Sequence, residues 1–302
     1  MTKKELLKQL KGDITEVEKM VYLKRLIKPY QKYGKSKLFI LQYLNGSGSE
    51  LENKFWSKCS SSRVAFDIYS CLADDKGIDD FEFEYHLPRI IYKNKETGHP
   101  PNMDIFYRIG DTIYFIESKF TETPQKILKL PEAYYITNNE YKNSDGKKVT
   151  YPIKERFHKR EDIADKFSSF CQTYVNMKDK IKKDDWFDYK QEICHLFGII
   201  FYALERTDCN VKRIDFKNIV YKFDDYEKLG NDYISAIAKE FIKDAKDMVN
   251  DILKISNKKI DFDYSISFTQ DVYEKYKNKT AYGLDITIKE LMAQNWSELD
   301  LS

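Results

Sequence analysis

Three charged residues interrupt an otherwise apolar β pattern in the stretch NMDIFYRIGDTIYFIESKFTE (102–122): Asp104, Glu117 and Lys119. Two carboxylates and an ammonium held together on a rigid sheet can bind a divalent cation through oxygen ligands. Such a centre can deliver an activated water and offset charge that develops on a phosphoryl group. The competing reading is an ordinary hairpin whose charged positions face solvent.

Register separates the two. Gly110-Asp111 is a dipeptide suited to a two-residue hairpin turn, because glycine tolerates a positive φ at the first position. With that pair at the tip, Ile109 meets Thr112, Tyr107 meets Tyr114, Ile105 meets Ile116, and Asp104 falls opposite Glu117. Directly opposed residues have Cβ atoms roughly 4.5–5.5 Å apart on one face. Lys119, two residues past Glu117, points to that same face. Opposed carboxylates repel, so a purely structural sheet gains nothing from the pairing, whereas a magnesium ion suits both. The string acid-any-lysine is itself weak, recurring at Glu52–Lys54, Glu140–Lys142, Asp188–Lys190 and Asp244–Lys246. Only at Glu117–Lys119 does it end an apolar strand with an acid placed on the strand before.

The elements that must position this trio follow from periodicity. Residues 3–44 carry leucines and isoleucines at helical spacing, broken near Pro29, and predict an N-terminal helical region. The Gly/Ser stretch NGSGSELEN (45–53) marks a boundary, and Ser49 with Glu52 has the capping-box pattern for a helix reaching about Ala73. Strands are expected at 81–91, 103–109 and 112–120, then an irregular basic segment to about 158. Helices are expected at 160–181, 186–205 and 232–255, with strands at 216–223 and 264–270. The central order is thus α, β, β, β, α, β, which predicts an α/β domain with a mixed central sheet flanked by helices. The division expected is 1–48 for the helical region and 49–302 for the main domain.

Composition narrows the function classes. The chain has 302 residues, 42% of them hydrophobic and 15% aromatic, enough for a sizeable core. It lacks an apolar run of membrane-spanning length, and MTKKELLKQLKGDITEVEK has no secretory core, so a cytoplasmic, non-membrane protein is expected. Five scattered cysteines and four histidines form no zinc-ligand spacing. Net charge is only +2, but the stretches 22–37 and 141–160 are locally basic. Lys24, Arg25 and Lys28 in the first, and Lys147, Lys148, Arg156, Lys159 and Arg160 in the second, are candidate contacts to a nucleic-acid backbone. Solvated, lysine-rich surface is the alternative for both. His195, within ICHLFGIIFYAL, reads as a core histidine, and GSGS (46–49) as a linker, since no strand precedes it and no Walker lysine follows.

The trio, with Pro101-Asn-Met-Asp104 and Glu117-Ser-Lys119 as half-motifs in this element order, resembles the PD-(D/E)XK nuclease superfamily, the fold of many restriction endonucleases. Proline and aspartate are usually adjacent there; here two residues separate them. Ser60-Ser61-Ser62-Arg63 followed by VAFDIYSCL is similar to a type II-like bacterial branch whose first core helix opens Ser-Ser-Gln, with Arg63 and Asp67 in place of the branch's Gln and Asn. The resemblance covers about residues 55–225. It implies a restriction endonuclease-like αβββαβ core and hydrolysis of DNA phosphodiesters. It further implies Mg²⁺, with Mn²⁺ substituting, held by Asp104, Glu117 and the Ser118 carbonyl, with Glu84 as the upstream acid that serves either a second metal or contacts to the first helix, and Glu82 a rival for that role. Lys119 would serve the attacking water, and Gln191 would support the site. Double-stranded DNA, a homodimer and a cognate methyltransferase are the implied partners. A structure-specific or CRISPR-linked nuclease acting on DNA or RNA, and a vestigial nucleic-acid-binding protein, are the alternatives.

Overall fold

The computed structural model describes residues 10–32, 35–46, 50–88, 101–120, 160–176, 187–222 and 235–276, with Lys8, Phe157 and two short strand pairs, 91–92 with 95–96 and 141–142 with 148–149. The N-terminal region is less helical than its leucine spacing predicts. Helix α1 (Glu16–Leu26) starts with a reciprocal cap, in which the Thr15 hydroxyl takes the Glu18 N–H and the Glu18 carboxylate takes the Thr15 N–H. An antiparallel pair, β1 (Pro29–Lys32) and β2 (Lys35–Leu38), then intervenes before α2 (Phe39–Asn45). Pro29 has no N–H to continue a helix, which forces the change.

The helix expected from Ser49 also begins later. Ser49 lies outside the described residues, and Glu50–Lys54 makes one π-helical turn. Helix α3 (Ser61–Tyr69) opens at Ser60, whose hydroxyl accepts the Arg63 N–H. A side-chain acceptor at that position satisfies an orphan donor of the first turn.

The sheet has five strands: β3 (Asp80–His86), β4 (Asn102–Ile109), β5 (Thr112–Lys119), β6 (Arg213–Val220) and β7 (Asp261–Phe268), in the spatial order β7-β6-β5-β4-β3. The first three form an antiparallel meander, while β6 runs parallel to β5 and β7 parallel to β6. Parallel neighbours need long crossovers. Here α4 (Glu161–Asn176) and α5 (Tyr189–Glu205) fall between β5 and β6, and α6 (Ala236–Ile255) falls between β6 and β7. A short helix, α7 (Thr269–Tyr276), follows.

Alternation along the strands sends side chains to two cores. Phe106, Phe115, Phe216 and Tyr264 pack with Leu196, Phe197 and Val249 of α5 and α6. Ile105, Tyr107 and Ile116 face the other way and pack with Phe66 and Tyr69 of α3, together with Tyr22, Phe39 and Tyr43. The result is an α/β fold with a mixed sheet covered by helices on both faces. The boundary expected at residue 48 divides residues that share this second core. Arg25 helps close it: its guanidinium pairs with Asp67 and lies over the Phe66 ring at 4.7 Å, while the Tyr22 hydroxyl donates to Asp67 at 2.7 Å.

Helix α5 approaches the sheet's end unusually closely. A Cβ on Gly198 would lie 2.8 Å from Leu87 Cβ and 2.9 Å from Pro101 Cγ, too near for either to yield cheaply. Overpacking of this kind costs about 1–3 kcal/mol. Gly198→Ala should therefore lower the thermal midpoint by several degrees although alanine favours helix. An unchanged or higher midpoint would show that α5 has room to retreat.

Candidate active site

The β4–β5 hairpin turns at Gly110, whose φ of +58° places it in the left-handed region open to glycine. Pairing runs from Ile109–Thr112 to Ile105–Ile116, the register that the turn dictates. The ladder stops there. One step on, the extrapolated Asp104–Glu117 ladder pair is replaced by a side-chain contact: the Asp104 carboxylate accepts the Ser118 N–H at 2.6 Å. Asp104 and Glu117 nonetheless line one cleft of about 360 Å³.

Glu117 and Lys119 are tied both to each other and to α5. Lys119 Nζ lies 2.7 Å from Glu117 Oε1 and donates to Gln191 Oε1 at 2.6 Å. Gln191 Nε2 donates to the same Glu117 oxygen at 2.7 Å. Only one orientation of the amide serves an ammonium with its oxygen and a carboxylate with its nitrogen. Gln191 sits in the first turn of α5, where the Asp188 carboxylate caps the helix by accepting the Lys190 and Gln191 N–H groups, both at 3.1 Å.

Glu84 reaches the cleft by a backbone irregularity. Its φ is +51°, in the left-handed region that non-glycine residues seldom occupy. Phe83 belongs to the core beneath α3, yet Tyr85, which would share its face in a regular strand, stacks on Phe106 at 4.3 Å on the opposite face. Glu84 turns the strand over, and its buried carboxylate enters the cleft beside Gly46, where a Cβ would stand 3.0 Å from Glu84 Oε2. Glu50 joins from the π-turn, held by the Ser62 hydroxyl at 2.9 Å and by Lys54 at 3.3 Å.

Four carboxylates thus share a partly dehydrated space. Burial, then repulsion from Glu117 and Glu84, hold the Asp104 carboxyl well above the usual carboxylate range. Burial, then Glu50 and Glu117, push Glu84 up to about 8. His195 is also in the cleft wall, with Nε2 3.8 Å from Glu117 Oε2; burial depresses its pKa and favours the neutral ring. Among the described residues, no three His, Cys, Asp or Glu side chains are already gathered as a metal-ligand group. The donor chemistry still fits a hard divalent ion, because the cleft offers oxygen ligands whose mutual repulsion such an ion would relieve.

The structure brings Asp104, Glu117, Gln191 and Glu84 to the wall of this cleft, while Lys119, itself buried, reaches them through its bonds to Glu117 and Gln191. Ser118 is adjacent, its hydroxyl directed to the Ser61 carbonyl at 3.3 Å. Glu82 lies opposite Phe106 and does not line the cleft. Of the basic candidates, Lys24 and Lys28 are exposed, while Arg25 is engaged by Asp67 inside the fold. Arg160 pairs with Asp162 at 2.9 Å. Lys147, Arg156, Lys159 and the side chain of Lys148 lie outside the described residues. Several cleft residues escape the sequence reading, His195, Glu50, Lys54 and Lys190 among them. His195 is a core histidine as read, 2% exposed, but its place one turn after Gln191 on α5 also puts it on the cleft side. Glu50 has no local signal, since its position depends on Ser62 across the turn.

The Glu84 shift has a definite sign. A carboxyl raised from 4.5 to about 8 binds its proton more tightly folded than unfolded, so stability falls as pH rises through that window. Glu84→Gln should flatten the decline, matching the wild-type thermal midpoint near pH 4.5 and exceeding it at pH 8. Parallel midpoint–pH curves would remove Glu84 as the source.

Comparison of the chain with protein-family models, with curated proteins and with solved structures finds no match.

Proposed function

We propose that the chain is a magnesium-dependent endonuclease that hydrolyses DNA phosphodiester bonds on a restriction endonuclease-like core. The observation that carries this reading is the Gln191-bridged Glu117–Lys119 pair, whose Glu117 and Gln191 share a cleft with Asp104. Helix α3, the meander β3-β4-β5, the α4–α5 crossover and parallel β6 give the element order that the reading requires.

Asp104, Glu117, the Ser118 carbonyl and Glu84 are the groups that would hold Mg²⁺ or Mn²⁺. When bound, such an ion polarises a phosphoryl oxygen and lowers the pKa of a coordinated water. The protein's own share is orientation and charge. Lys119 is kept at the cleft by Glu117 and Gln191, where its ammonium can orient the attacking water and offset negative charge growing on the phosphate. Gln191 prevents that lysine from collapsing fully onto Glu117 by offering it a second acceptor. Lys54 and Lys190, also on the cleft wall, place positive charge at the mouth of an acidic site and give a polyanion somewhere to dock. Use as a restriction enzyme would further call for a two-fold homodimer on a palindromic duplex, one site per strand, and a methyltransferase that protects host DNA.

The test is digestion of a long mixed-sequence duplex with Mg²⁺. Discrete fragments are expected, and chelation should stop their appearance. Asp104→Ala and Glu117→Ala should abolish cleavage with the fold intact by circular dichroism, and Gln191→Ala should slow it by about 10–100-fold, the usual effect of losing a group that orients the first ligands. A smear would indicate a non-specific nuclease, and cleavage of RNA or branched substrates alone would move the substrate class. Retained binding with no cleavage would favour a vestigial site, and full activity in Asp104→Ala would overturn the site.

A further inference from the structure

Directly behind the Glu117–Lys119 pair lies a second, wholly buried polar network that the proposed chemistry does not use. Glu192 on α5 is 0% exposed. Its Oε2 accepts from the Tyr264 hydroxyl of β7 at 2.6 Å, and that hydroxyl accepts from Asn218 Nδ2 of β6 at 3.0 Å. Tyr264 is fixed by stacking on Phe216 at 4.5 Å. Asn218 stands beside Glu117 in the parallel β5–β6 register. The network therefore spans one helix and two strands and ends next to a proposed ligand.

We propose that Glu192 is a positioning residue: by locking the first turn of α5 to β6 and β7, it holds the Gln191 carboxamide in the orientation that bridges Glu117 and Lys119. Successive residues on an α-helix point about 100° apart, so Gln191 faces the cleft while Glu192 faces the two strands. Fixing one fixes the azimuth of the other. A helix rotation of about 10° moves a side-chain tip at a radius of about 5–6 Å by roughly 1 Å. That is enough to break the hydrogen bonds of 2.6 and 2.7 Å made by Gln191.

Stability alone does not account for a carboxyl here. An apolar side chain of similar size would fill the space without the cost of desolvating an acid. What the acid adds is direction, since hydrogen bonds constrain angle where apolar packing tolerates sliding. Burial raises the Glu192 carboxyl to about 7, against the opposing pull of the Lys119 ammonium and of the Tyr264 and Asn218 hydrogen bonds.

The catalytic half of this inference rests on the nuclease reading, but the positioning half does not, and two readouts separate them. The first is the side-chain amide resonances of Gln191 in the full-length protein, identified by their absence in Gln191→Glu. Glu192→Ala should move them toward the positions of a free carboxamide, and Glu192→Gln, which can still accept from Tyr264, should return them. Unmoved resonances in Glu192→Ala overturn the proposal. The second is steady-state cleavage of duplex DNA with Mg²⁺: Glu192→Ala should lower kcat about 10–100-fold with KM within twofold, Glu192→Gln should recover most of it, and Glu192→Ala with Tyr264→Phe should be no worse than Glu192→Ala. Additive losses, or a change confined to KM, would also overturn it. If Glu192→Ala does not fold, Tyr264→Phe removes only the hydroxyl and carries the same expectations in milder form. A wild type that cleaves no nucleic acid defeats the nuclease reading, and the Gln191 resonances then decide the positioning alone.

Discussion

Mutual repulsion among the carboxylates of Glu50, Glu84, Asp104 and Glu117 is the force against which the rest of the molecule is built. Left to themselves these side chains would separate into solvent. Each is instead held by a different device: a turn-dictated register and a backbone N–H for Asp104, a left-handed residue for Glu84, a serine for Glu50, and an ammonium with a carboxamide for Glu117. Burial first, and then the neighbouring carboxylates, keep the Asp104 and Glu84 carboxyls above their ordinary range.

The two layers of helices divide the labour. The α3 side, with the N-terminal region, forms an aromatic-rich core beneath β3–β5 and anchors the π-turn that carries Glu50. Arg63, almost fully buried, donates to the carbonyls of Phe55 and Lys58 and so ties that turn to α3. The α5 side supplies Gln191 and His195, and its depth is set by Gly198 against Leu87 and Pro101. Pro101 and Asn102 line the cleft themselves, so the close approach of α5 and the shape of the cleft are one packing problem.

What could be read from the sequence was whatever depended on local geometry. The Gly110-Asp111 turn sets the pairing of its own flanks, and alternation then assigns faces, so the trio was accessible from a short stretch. Gln191 and Glu84 came from resemblance, and both lie at the cleft. The N-terminal pair β1–β2 was hidden because leucine and isoleucine spacing in flanking helices runs up to it on both sides, and only Pro29 marked the break. Glu50 could not be found locally, because a cap pattern at Ser49 and Glu52 competes with the hydrogen bond that Ser62 makes across the turn. Arg25 looked like part of a basic face because charge counting ignores where a side chain is aimed; Asp67, 42 residues away, claims it. His195 was correctly read as buried, but burial does not say which wall a residue is buried in.

The parallel pairing of β5 with β6 also gives the chain a timetable. Lys119 pairs with Val220, about 100 residues later, so β5 has no partner on that side until α4 and α5 have been synthesised. At about 5–20 residues per second, an apolar strand edge stays open for roughly 5–20 s as the chain emerges. The brace on Glu192 waits longer still, because Tyr264 belongs to the last strand. During that interval TIYFIESK is a β-prone segment with an open edge, and its only charges are Glu117 and Lys119, of the kind that disfavours edge-to-edge pairing. The two charges of the finished site are thus also the ones that the half-made sheet carries on its open strand.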